Sequence, residues 1–288
     1  MGIARTHDED YETREFKTLV ALAAMERRKD NGEFKGLTSH SSIVDLQDKL
    51  VCVTSGVSFF GFALVNHLLL HGYFVRVLVA NQEDVEKLRE MEISGEMMGC
   101  KSKIAVVMAK PNEIQGLMEA FDGCCGVFHT SSVADPAGLS GYSLKAEKVA
   151  WKIAEEMSLN LTTICPGLIT GHEFSYRNPT ATIAYLKGAQ EMYANGLLAT
   201  ADVRRLAEAH VSVFEAMKTT TAFGRYICFD RVIQCEDEAE KLADEIGIPR
   251  NKISGNSSDF VFPNCFELSN KKLANLMSRT LRSCYAES

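Results

Sequence analysis

The stretch Leu50-Val-Cys-Val-Thr-Ser-Gly-Val-Ser-Phe-Phe-Gly61 decides the fold. Its first four residues read as a buried strand and Thr54 to Gly56 as a tight turn. Beyond them Phe60, Leu64 and Leu68 recur at helical spacing until Gly72 ends the run. A strand that passes through a glycine-bearing turn into a helix is the opening of a nucleotide-binding α/β domain, because backbone amides and the helix N-terminus there approach a pyrophosphate. Ser55, Gly56, Ser58, Phe59, Phe60 and Gly61 are the candidate cofactor-binding residues. Serines at 55 and 58 stand where such turns usually carry glycine. They add bulk and also hydroxyl groups, so weakened binding, rearranged binding and a purely structural turn all stay open.

Outward from this turn the chain alternates short branched-apolar runs with longer periodic ones, the rhythm of βαβ units. Strands are predicted at 50–54, 74–80, 103–108, 125–130, 160–165 and 224–229. Helices are predicted over 83–92, 113–120, 144–157, 203–217, 235–246 and 270–284. The fold class is therefore α/β, a Rossmann-type doubly wound parallel sheet with a smaller, mostly helical C-terminal substrate lobe. Residues 1–48 read as a polar, partly helical extension. Residues 49–170 read as the nucleotide-binding domain. Residues 171–288 read as the lobe, with a returning strand near 224–229.

Composition narrows the function. The 288 residues, 46% hydrophobic, suffice for a substantial core. A net charge of -7 argues against a nonspecific nucleic-acid binder, which needs a basic footprint. Nine cysteines show neither a disulfide framework nor a zinc spacing, and a reducing cytoplasm is expected. His67 and His71 lie four apart but lack a third ligand, so no metal site is expected. Neither a signal peptide nor a membrane span is read from the sequence.

Several further segments, in order, carry a resemblance. Residues 51–61, 72–79, 121–130, 145–171 and 224–233 together resemble the plant cinnamoyl-CoA reductase and dihydroflavonol reductase group of extended short-chain reductases. Within them Asp122-Gly-Cys-Cys-Gly-Val-Phe-His-Thr130 looks like that group's fourth strand, and Ala146-Glu-Lys-Val-Ala-Trp151 resembles the helix that follows its active-site Tyr-x-x-x-Lys. Cys165-Pro-Gly-Leu-Ile-Thr-Gly171 looks like its loop near the nicotinamide. The resemblance implies NADP(H) as cofactor, bound weakly here, with NAD(H) as the alternative. His129, Pro166 and Lys87 join the cofactor candidates. Its implied substrate is an aromatic thioester or related carbonyl, acted on by a monomer or homodimer.

The departures from that pattern fall on the chemistry. In the group, a Tyr donates the proton to the reduced carbonyl oxygen, a Lys lowers its pKa, and a Ser steadies the substrate. Counting back from Trp151 puts Ser143 at the Lys position and Leu139 at the Tyr position. Tyr142 and Lys145 are the remaining catalytic candidates, three apart rather than four. A helix keeps either spacing on one face, and the bland alternative is a helix-start aromatic beside a solvated lysine. The resemblance implies that the nucleotide-binding domain is truncated between about 131 and 143, with roughly 40 to 60 residues missing between the fourth strand and this helix, enough for a helix and the strand that carries the Ser. The strand at 160–165 must then slide beside the fourth strand or leave a gap with exposed edges. For the cofactor, Ala80 stands where NADP-preferring members place an Arg, Lys87 matches a downstream basic position, Lys110 replaces an adenine-contacting Asp, and Arg76 reads as a flanking surface residue. The functional expectation is a catalytically impaired NAD(P)H-dependent oxidoreductase. A noncatalytic NADP-binding or interaction protein and an unstable truncated isoform are the alternatives.

Overall fold

Strand β1 (Leu50–Val53) is buried from Val51 to Val53 and pairs in parallel with β2 (Phe74–Val79) on one side and β4 (Gly126–Phe128) on the other. Strand β3 (Ile104–Met108) extends the sheet past β2, giving the all-parallel order β3-β2-β1-β4. The order reverses direction between β1 and β4, which is the topological switch point of a doubly wound sheet. These elements belong to a computed structural model that describes residues 49–97, 103–110, 113–130, 142–171, 188–255 and 267–286. The expected 1–48 extension lies outside the described residues.

The helix after β1, α1 (Phe59–Leu70), is apolar nearly all round, as a helix enclosed on both sides must be. One side packs Leu64, Val65 and Leu68 on the sheet beside Val51, Val53, Val75 and Val77. Gly72, at φ +82°, lets the chain turn back, with the Tyr73 amide donating to Leu68 at 3.0 Å. Helix α2 (Gln82–Ile93) is far more exposed, and only Leu88 is buried. On the opposite face Cys52, Leu78 and Ala109 meet Ala120 of α3 (Ile114–Phe121).

Among the described residues the parallel sheet ends at β4. Strand β5 (Thr162–Pro166), reached through α4 (Tyr142–Glu156), pairs in parallel with β8 (Gly224–Cys228) and not with β4. Of the two arrangements expected from sequence, the one in which the strand at 160–165 slides beside the fourth strand is not seen among the described residues. Val127 on β4 is 46% exposed and Ile227 on β8 is 39% exposed, apolar side chains left without cover at the break. A third, mixed sheet of β6 (Leu168–Thr170), β7 (Ala199–Asp202) and β9 (Arg231–Val232) packs with α5 (Ala189–Ala194), α7 (Glu236–Ile246) and α8 (Asn251–Ser254) around Leu198, Ile233 and Leu242.

One helix spans the break. Helix α6 (Val203–Lys218) starts at Asp202, whose carboxylate accepts from the amides of Arg204 and Arg205 at 2.8 and 3.3 Å. Ala207, Val211 and Phe214, three and four apart, face the four-stranded sheet. Leu206, Ala209, Val213 and Ala216 face the β5–β8 pair, where Tyr226 and Cys228 complete the cluster with Leu273 and Met277 of α9 (Lys271–Ala286). Phe214 lies so close to β4 that a side-chain carbon at Gly126 would come within 2.2 Å of its ring; only glycine fits there. Phe128 meets the same ring edge-on at 5.0 Å.

Leu206→Ala should therefore lower the unfolding free energy by about 2–5 kcal/mol, the usual cost of truncating a fully buried leucine. Ile93→Ala, at a position 83% exposed, should change it by no more than about 0.5 kcal/mol. Equilibrium urea unfolding measures both, and equal effects would contradict the bridging role of α6.

Candidate functional site

The carboxyl ends of β1 and β4 border the switch point, the crevice in which doubly wound sheets bind ligands. At the end of β1 the chain turns through Thr54 to Ser58. Gly61, in the first turn of α1, sits so close beneath this turn that a side-chain carbon would lie 1.9 Å from the Ser55 carbonyl oxygen. Gly56 is buried against Val77 of β2. Both residues thus fit the requirement for close backbone approach. Ser58 does something a glycine would not. Its hydroxyl donates to the Ser55 carbonyl at 2.8 Å and accepts the Gly61 amide at 3.0 Å, capping α1. That internal cap withdraws the Gly61 amide from the donors that a phosphate would meet.

The other candidates divide. His129, exposed at the end of β4, has Nδ1 3.0 Å from the Thr54 hydroxyl, which ties the two sides of the crevice together. Pro166 is the last residue of β5, across the break. Phe60 turns away from the crevice into the packing between α1 and α6, its ring 4.8 Å from that of His210. Phe59 lies toward Gly171, at the end of β6. Tyr142 and Lys145 both fall in the first turn of α4, three residues apart. Lys87 is held by two carboxylates, 3.0 Å from Glu83 and 3.7 Å from Asp84, and its hydrogen bond to Glu83 is the main reason its pKa rises.

Sequence reasoning missed several groups. Thr54 and Thr130 carry no motif signal. Thr130 is buried beside His129, and its hydroxyl has no hydrogen-bond partner among the described residues. An orphaned buried hydroxyl at the switch point fits a site that a bound polar molecule completes. Arg76 is not a surface residue. From β2 its Nη1 lies 2.7–3.0 Å from the carbonyls of Glu119, Ala120 and Asp122, so it neutralises the C-terminus of α3. Glu147 of α4 accepts from Thr163 and from Arg225 Nε, both at 2.9 Å, and so fastens the helix to the β5–β8 pair. Burial pushes its pKa up, but the bonds from Arg225, Thr163 and Trp151 outweigh that and lower it overall.

No protein-family model matches the chain. Cinnamoyl-CoA reductase 1 of Petunia hybrida is 27% identical over 299 aligned positions, covering 79% of this chain and 86% of the relative. Cinnamoyl-CoA reductase 2 of Medicago truncatula is 26% identical, covering 82% and 88%. The chain is similar over most of its length to plant cinnamoyl-CoA reductases. Its fold is that of vestitone reductase from alfalfa, with a TM-score of 0.55 at 16% identity over 83% of this chain and 98% of that one. The alignment with the petunia reductase is longer than the stretch of this chain that it covers. Its 299 positions occupy 79% of 288 residues, about 228, which leaves about 71 positions filled in the cinnamoyl-CoA reductase and empty here.

His210, behind the glycine turn of this reductase-like site, provides a pH test. Burial, only partly offset by its bond to the Leu206 carbonyl, pushes its pKa down to about 4. The folded state therefore favours the neutral ring. That stability is complete above about pH 6.5, the unfolded value, and is lost as pH falls toward the folded value. In urea unfolding between pH 7 and 5, the parent should weaken more than His210→Phe does; parallel curves would show that His210 is not held neutral.

Proposed function

We propose that this chain is a nicotinamide-dinucleotide-binding protein of the reductase fold that keeps the nucleotide turn and has lost most carbonyl-reducing turnover. The observation that carries the reading is the place of the break. Among the described residues the sheet is continuous through β1 and β4, and no strand pairs with the other edge of β4. The resemblance places the Ser-bearing strand and the Tyr of the catalytic set in that interval.

A dinucleotide bound at the switch point supplies a hydride to a carbonyl carbon. The chain's own part is to hold it and to deliver a proton to the carbonyl oxygen. Holding falls to the turn from Ser55 to Gly61, with His129, Thr130 and Pro166 bordering the crevice. Proton delivery lacks its aligned donor, because Leu139 and Ser143 occupy the Tyr and Lys positions. Tyr142 with Lys145 is the remaining pair with suitable chemistry. The homologues make an aromatic CoA thioester the substrate class to test, and NADP(H) is the form that the resemblance favours. Division into an extension over 1–48, a nucleotide-binding domain over 49–170 and a substrate lobe over 171–288 belongs to this proposal, as do cytoplasmic residence and a monomeric or homodimeric state. Among the described residues no helix is long and apolar enough to cross a membrane. The uncovered Val127 and Ile227 favour a second reading, a noncatalytic interaction protein that uses the same fold.

Two measurements test the proposal. With cinnamoyl-CoA, the chain should oxidise NADPH or NADH about 10²–10⁴ more slowly than a version in which the homologues' missing interval is restored, the usual contribution of a general acid. Comparable rates, abolished in the short chain by Tyr142→Phe, would instead make Tyr142 the proton donor. In calorimetry, Ser58→Gly should tighten dinucleotide binding by freeing the Gly61 amide, at a cost of only about a few tenths of a kcal/mol in helix capping. Unchanged affinity would show that Ser58 does not compete with the phosphate.

A further inference from the structure

Resting on the dinucleotide reading above and going beyond it, we infer that the rim of the site at the end of β2 selects a dinucleotide with a free 2′-hydroxyl, NAD(H), over the 2′-phosphorylated NADP(H). In doubly wound folds the adenosine ribose is read about 20 residues past the glycine turn. A carboxylate there accepts from the 2′-hydroxyl, or a nearby Arg takes a 2′-phosphate. Here Ala80 closes β2 and brings no charge. The carboxylate comes instead from Asp84, in the first turn of α2.

Asp84 is held at both ends. Its Oδ2 lies 3.4 Å from the Ala80 amide, and its own amide donates to the Asn81 side chain at 3.0 Å. Its side chain is only 18% exposed. The N-terminus of α2, otherwise attractive to an anion, is thus occupied by the chain's own Asn81 and by the acids Glu83 and Asp84.

Lys87 and Arg76, two cations that would welcome a phosphate, are engaged elsewhere. Lys87 is bound to Glu83 and Asp84, so a 2′-phosphate would have to break that arrangement and bring roughly two negative charges next to both carboxylates. Arg76 points to the carbonyls at the end of α3. Lys110, after β3, has the Glu113 carboxylate at its amide, 3.4 Å away. Glu83, Asp84 and Glu113 therefore stand against Lys87 and Lys110 at this rim. A 2′-hydroxyl, by contrast, can donate to Asp84 without displacing anything.

Calorimetric titration of the full chain with NADH and NADPH tests the assignment. NADH should bind at least about tenfold more tightly, the worth of one charge-assisted hydrogen bond gained or denied. The double variant Ala80→Arg with Asp84→Ser should narrow or reverse that ratio. Lys87→Ala and Lys110→Ala, which leave the Asp84 contacts with Ala80 and Asn81 in place, should not weaken NADPH more than NADH. NADPH binding as tight as NADH, or a selective loss of NADPH in either lysine variant, overturns the inference and leaves the dinucleotide reading standing. Binding of neither nucleotide overturns both.

Discussion

The two-sided packing of the helix at Val203–Lys218 is the constraint on which the rest of the fold depends. A parallel sheet normally gains its continuity from backbone hydrogen bonds between neighbouring strands. Among the described residues β4 and β5 are not paired, and the two sheet fragments share a core through side chains. Ala207, Val211 and Phe214 seal one fragment, while Leu206, Ala209, Val213 and Ala216 seal the other. A helix with a single apolar stripe would cover one fragment and leave the other without a partner. Contact between Phe214 and Gly126 brings the helix against the last strand before the break, and β8 and α9 hold it from the other side.

This arrangement separates two capacities that a reductase normally combines. Nucleotide binding draws on the turn after β1, whose geometry is set by the close approach of Gly61 to Ser55 and by the neighbouring strands. Proton delivery draws on residues that a homologous enzyme carries beyond β4. On the proposed reading, a segment missing there would leave the first capacity with its scaffold and remove the second. The Ser58 cap and the acid-bound Lys87 bear on the first capacity too, since both use within the protein a donor or charge that a phosphate would otherwise engage.

The parts legible in the sequence were those with strong local signals. All six strands read from branched-apolar runs are present, with boundaries shifted by at most two residues at most ends, as are the helices that follow them. Strands β6, β7 and β9 were not read. They are two to four residues long, and Leu168–Thr170 and Ala199–Asp202 carry too little alternation to reveal a pleat. Partnerships were less legible than elements. Nothing in the sequence around Arg76 says that its guanidinium reaches carbonyls more than 40 residues away, because that bond exists only once β2 and α3 are packed. The Glu83–Lys87 pair was readable from its i,i+4 spacing, but its bearing on the nucleotide rim required the position of Asp84 over Ala80. Phe60 was assigned to the nucleotide turn by proximity in sequence. Helical geometry instead sends its ring into the core.

Native-state hydrogen exchange tests the central claim most directly. If the helix at 203–218 is the element that joins the two sheet fragments, amides of β1 and β2, of β5 and β8, and of the helix itself should open together with one common free energy. Exchange of β5 and β8 through a far less costly opening, with the helix and β1–β2 still protected, would contradict it and show that the fragments are stabilised independently.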